Sequence, residues 1–119
     1  MRKFVLLAGA LAVTVSIPAA SSAAPDGKNR RILVENLSNH TLRELYASPA
    51  TSKTWEENLF GQRTLDSGKS ITANIDNGTN DCYYDLKAVL DGGKAVEQRN
   101  VNVCAAAKWV IGEASNSIQ

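Results

Sequence analysis

Few side chains in this sequence could carry chemistry, and they are scattered. His40 is the only histidine, so a Ser-His-Asp or Cys-His set would have to use it. It stands in the polar turn Leu37-Ser38-Asn39-His40-Thr41, and no nucleophile elbow surrounds any serine. A zinc centre needs three or four Cys, His or carboxylate ligands, which one histidine and two cysteines do not readily supply. Glu56 and Glu57 are neighbours that diverge on a helix, unlike the facing carboxylates of a glycosidase. The run Asp76-Asn77-Gly78-Thr79-Asn80-Asp81 is rich in oxygen ligands around a glycine, which makes Asp76, Asn80 and Asp81 weak metal candidates. Its spacing departs from the calcium-loop pattern, and solvated turn residues are the plainer reading. No motif implies a cofactor, and no catalytic residue is assigned. Two other side chains stand out. Asp85 is a carboxylate inside an apolar stretch, facing solvent or accepting hydrogen bonds from a neighbouring segment. Trp55 is a core or rim anchor, or a ligand platform if exposed.

Cys82 and Cys104 lie 22 residues apart with no C-x-x-C spacing. In an exported chain such a pair is expected to form a disulfide. Export is predicted from the N-terminus. Met1-Arg2-Lys3 is positive, and Phe4 to Ile17 is uncharged. Pro18 then breaks the run, and Ala19-Ala20-Ser21-Ser22-Ala23-Ala24 supplies small residues. This is the order of a secretory signal, with Ser21 and Ala23 at −3 and −1 and the cut falling after Ala23, at the Ala23–Ala24 bond. The apolar run is shorter than the roughly 20 residues of a spanning helix, so no stable membrane anchor is expected after cleavage. Of 13 Lys and Arg, removal of Arg2 and Lys3 leaves 11 against 12 Asp and Glu, a net charge of −1. That balance excludes the clustered basic face that nucleic acid requires.

These residues must be positioned by short elements. The 119 residues bound one domain, and the expected organisation is a signal over 1–23, a flexible leader over 24–29, a β domain over 30–113 and a flexible tail over 114–119. Arg31 to Asn36 and Thr41 to Ser48 read as strands. In Ser70 to Asp76, Ile71, Ala73 and Ile75 alternate with Thr72 and Asn74. Asn77-Gly78 follows as a hairpin signal. Asp81 to Leu90 fits either period. Its paired tyrosines and the Asp91-Gly92-Gly93 turn favour a strand, with Lys94 to Cys104 returning and Lys108 to Glu113 closing the domain. Thr54-Trp55-Glu56-Glu57 matches a capping box, predicting a short helical turn from Trp55 to Phe60 closed by Gly61. The fold expected is all-β, a small antiparallel β-sandwich with one short helical turn and one disulfide.

Three segments in order resemble a group of small exported bacterial domains of unknown function. These are Leu45-Tyr46-Ala47-Ser48-Pro49, then Trp55-Glu56-Glu57-Asn58-Leu59-Phe60-Gly61, then Cys82, Tyr84-Asp85-Leu86, Asp91-Gly92 and Cys104. Glu56 stands where that pattern has glycine. The resemblance spans about Ile32 to Ile111 and implies a periplasmic β-sandwich; it carries over no activity. The expectation is an exported, periplasmic or secreted, non-enzymatic binding or interaction module with a protein or small-molecule partner. Trp55, Glu57, Asn58 and Asp85 are its contact residues. The alternatives are a calcium- or carbohydrate-binding domain using the Asp76–Asp81 loop, and an enzyme of unknown class.

Overall fold

Runs of β-branched and aromatic residues broken by Gly, Asn and Asp leave little choice but strands, and the computed structural model, which describes residues 23–119, is all-β. The strands are β1 (Arg31–Asn36), β2 (Leu42–Pro49), β3 (Ser70–Asn74), β4 (Tyr83–Leu90), β5 (Ala95–Asn102), β6 (Lys108–Ile111) and β7 (Asn116–Ile118). One sheet has the order β3-β1-β6-β7, with β1 and β6 parallel and the other pairs antiparallel. The second is antiparallel, in the order β2-β4-β5. The chain contacts divide into two units. Lys28–Ile75 with Asp81–Gln119 holds both sheets, and a small unit joins residues 23–27 to Asp76–Asn80.

Alternation sets the core. Ile32 and Val34 of β1, Trp109 and Ile111 of β6, and Tyr84, Leu86, Ala88 and Leu90 of β4 share one buried cluster with Leu45, Ala47 and Val101. Trp109 is wholly buried, and its indole N–H donates to Asn116 Oδ1 at 2.8 Å. The same Asn116 oxygen accepts Gln98 Nε2 at 2.7 Å, so one amide ties β7 to β5. β4 and β5 form the hairpin expected around Asp91-Gly92-Gly93. Gly92 and Gly93 take φ of 83° and 91° there, a left-handed region costly for any residue with a Cβ. Cys82 and Cys104 stand beyond the open end of this hairpin and are disulfide-bonded, with Cα atoms 5.3 Å apart. A bond of this kind belongs to an oxidising, non-cytoplasmic setting.

Several local expectations are corrected. Among the described residues the single helical turn is Asp91–Gly93; Trp55 to Phe60 is irregular. The capping box fails because the loop's amides are taken elsewhere. Ser48 Oγ accepts Glu56 N–H, and Asn58 Oδ1 accepts Phe60 N–H while also taking Leu45 N–H from β2. The Asn77-Gly78 turn does not close a hairpin, since β3 and β4 lie in different sheets. The tail over 114–119 is not frayed: Asn116–Ile118 pairs with β6 through Trp109, Val110 and Ile111. The leader over 24–29 is tied at its start, where Ala24 N–H donates to Asp76 Oδ2 and Asp26 N–H to Asn80 Oδ1. The signal expected over 1–23 lies outside the described residues but for Ala23. Among the described residues no helix is long and apolar enough to cross a membrane.

Candidate functional site

The site begins with a misfit in the β4-β5 ladder. Tyr84 pairs with Val101 and Leu86 with Gln98, so the single residue Asp85 faces two, Arg99 and Asn100. This is a β-bulge, which re-aims side chains on the longer strand. Asn100 takes φ of 56°, the one non-glycine in the left-handed region among the described residues, a conformation asparagine tolerates better than most. Asp85 fastens both bulged residues. Its Oδ1 accepts Asn100 N–H at 2.8 Å and its Oδ2 accepts Arg99 at 3.1 Å. The carboxylate is therefore buried but fully partnered, as a buried charge must be.

Arg99 also meets Glu97 Oε1 at 2.6 Å. The bonds to Asp85 first, and to Glu97 second, hold its guanidinium above its ordinary pKa. So fixed, the guanidinium carbon sits 5.1 Å from the centroid of the Trp55 ring. Lys87 approaches the same ring, its Nζ 5.1 Å from Trp55 and 5.0 Å from Tyr46. Register explains the meeting: Tyr46, Lys87 and Glu97 are opposite one another on β2, β4 and β5, all on the face turned away from the core. The Tyr46 and Trp55 rings lie 6.4 Å apart and tilted. Tyr46 hydroxyl donates to Glu44 Oε1 at 2.6 Å, and this bond, followed by burial, raises its pKa above the usual phenol value. The loop that delivers Trp55 is pinned by the Ser48–Glu56 bond and by Ser52, whose hydroxyl engages both the N–H and the C=O of Thr54.

The result is a half-buried aromatic platform with two cations held against it, at cation–π distance. Beside it lies a hollow of about 100 Å³ lined by Ser48, Ser52, Lys53, Thr54, Trp55, Asp85 and Arg99. Its hydroxyls and cations suit a small polar or anionic group rather than an apolar one.

Of the four contact residues expected, Trp55 and Asp85 are brought together through Arg99. Glu57 and Asn58 line a different and larger hollow, of about 450 Å³. Asn58 serves the fold there, since besides its two accepted bonds its amide donates to Gly61 O at 3.3 Å. Tyr46, Lys87 and Arg99 were not singled out from sequence. The alternation of Leu45 and Ala47 inward could have placed Tyr46 outward, but its meeting with Lys87 depends on strand register.

The other candidates are placed plainly. His40 Nδ1 is 3.1 Å from Asp91 Oδ1 and its Nε2 is 3.6 Å from Glu113 Oε2, a clasp joining three loops at one end of the sandwich. Asp76 Oδ1 accepts Gly78 N–H, Asn77 Oδ1 accepts the N–H and hydroxyl of Thr79, and Asn80 Oδ1 accepts Asp26 N–H. The Asp81 carbonyl accepts Arg30 Nε at 2.7 Å. Among the described residues no three His, Cys, Asp or Glu side chains converge as metal ligands would. No protein-family model, curated protein or solved structure matches the chain.

Proposed function

We propose that this chain is exported under its N-terminal signal, cut after Ala23, and acts in the periplasm or outside the cell as a non-enzymatic binding module. The outer face of the β2-β4-β5 sheet is its contact surface. The carrying observation is the Trp55 platform, with Lys87 and Arg99 held on the ring while a buried Asp85 anchors the guanidinium. Tryptophan and arginine in fixed, partly desolvated positions are the residues from which contact hot spots are made. Rigid side chains also lose less entropy when a partner arrives. The cations and hydroxyls around the small hollow favour an acidic group on that partner, either a protein side chain or a small-molecule anion. The likeness to small exported bacterial domains belongs to the same proposal.

Affinity capture from a periplasmic extract tests it, with the disulfide-bonded protein as bait and Trp55→Ala and Leu37→Ala as comparison baits. A partner retained by wild type and Leu37→Ala but lost with Trp55→Ala supports the reading. No specific partner, or equal recovery by all three, contradicts it.

A further inference from the structure

The larger hollow lies away from the Trp55 platform and has its own logic. Among the described residues β3 is an edge strand, paired only with β1. The flanking bonds Asn36 N–H to Lys69 O and Ile75 N–H to Arg30 O fix which residues point inward. Hydrogen-bonded pairs alternate in an antiparallel ladder. Ile71 and Ala73 therefore bond to β1, whereas Ser70 and Thr72 turn their N–H and C=O groups to the open edge. Natural sheets shield such an edge with charge, proline, bulges or a covering loop. The other sheet does so at its β2 edge. Along the open side of β2, Leu42 exchanges both backbone bonds with Leu65, and Leu45 bonds to Leu59 and to Asn58 Oδ1. Ser70–Asn74 carries neither charge nor proline.

In front of this edge is the hollow of about 450 Å³, with Leu45, Phe60, Ile71 and Ala73 on its walls. Leu59, also lining it, is one of three large apolar side chains left exposed among the described residues. Glu57 and Arg63 stand on its walls too, exposed and of opposite charge, and neither forms an ion pair among the described residues. We infer that this edge receives an extended peptide as an added strand. Main-chain bonds to Thr72 give affinity, an apolar side chain fills the hollow, and flanking basic and acidic residues meet Glu57 and Arg63. Strand addition of this kind draws affinity from the backbone and selectivity from alternate side chains.

The probe is a fluorescein-labelled Lys-Val-Thr-Val-Thr-Val-Glu peptide, followed by anisotropy against the disulfide-bonded protein. Thr72→Pro removes the outward N–H without touching a bond to β1, the position where an edge strand accepts proline. Saturable binding is expected for wild type and equally for Trp55→Ala, which separates this edge from the platform. Binding about tenfold weaker is expected for Thr72→Pro and for a peptide N-methylated at alternate amides, the second needing no change to the protein. Absence of saturable binding by wild type, or equal binding of the N-methylated peptide, overturns the inference. So does a concentration-dependent dimer in sedimentation that Thr72→Pro abolishes, which would assign the edge to a second copy of the chain.

Discussion

Asp85 matters because one carboxylate holds both residues of the bulge, Asn100 by its backbone N–H and Arg99 by its guanidinium. Replacing it with alanine removes the bond to Asn100 N–H and frees Arg99, and a hydrogen bond of the first kind is worth about 0.5–1.5 kcal/mol net. Asp85→Ala is therefore expected to lower the urea midpoint, and to release Arg99 from Trp55, seen as altered Trp fluorescence in a Trp109→Phe background. Asn100 makes a sharper comparison. At φ of 56° alanine costs roughly 1–2 kcal/mol while glycine costs little, so Asn100→Ala should melt earlier than Asn100→Gly. Equal melting temperatures would show that the left-handed turn of the bulge is not held. Tyr46 predicts a pH response. Its raised pKa means that the unfolded chain loses this proton first, near the ordinary phenol value of 10.0. The stabilisation from the Glu44 bond is thus complete below that pH and fades as pH climbs through the folded-state value. Tyr46→Phe should flatten the alkaline fall of the melting temperature; an unchanged alkaline limb would contradict the assignment. At this scale Asp85 was legible as a carboxylate out of place, and Trp55 as an anchor. Arg99 was not, because a bulge leaves no mark in the hydrophobic pattern of β5.

The strands and the β4-β5 hairpin were readable because alternation and turn chemistry agree there: Tyr84, Leu86, Ala88 and Leu90 share a face, and Asp91-Gly92-Gly93 supplies the turn. The loop after β2 was misread because Thr54 and Glu57 fit a local cap while the loop's hydrogen bonds are spent on β2. No local rule reports that choice. Asn58 is its keystone, with bonds to Leu45, Phe60 and Gly61. Asn58→Ala is expected to speed amide exchange at Leu45 and Phe60 and to leave the Trp109 environment unchanged. Slow exchange at both would disprove that role. Asn77-Gly78 misled for a similar reason, since the dipeptide specifies a turn but not which sheet the next strand joins. The disulfide locks the hairpin's open end. Closing a loop of this size stabilises by roughly 3 kcal/mol in the chain-entropy model. Cys82→Ser with Cys104→Ser should lose about that much in urea unfolding, and no change in midpoint would contradict it.

Across the whole sandwich, residues far apart in sequence decide the outcome. β1 pairs in parallel with β6, and β7 completes that sheet, an order that sequence periodicity does not encode. Trp109, Asn116 and Gln98 then join the two sheets through one amide. Trp109→Ala should cost about 3–5 kcal/mol, as loss of a large buried aromatic does. With the core on the inner faces and β2 covered by its own loop, the Trp55 platform and the β3 edge are left exposed among the described residues. The proposed function rests on the first. Hydrogen–deuterium exchange on the protein bound to its captured partner is the most direct test. The account predicts slowed exchange in Tyr46–Ser48, Lys53–Glu56 and Glu97–Asn100, with the rest of the chain unaltered. Protection confined to β1 and β6, or none on the β2-β4-β5 face, would contradict it.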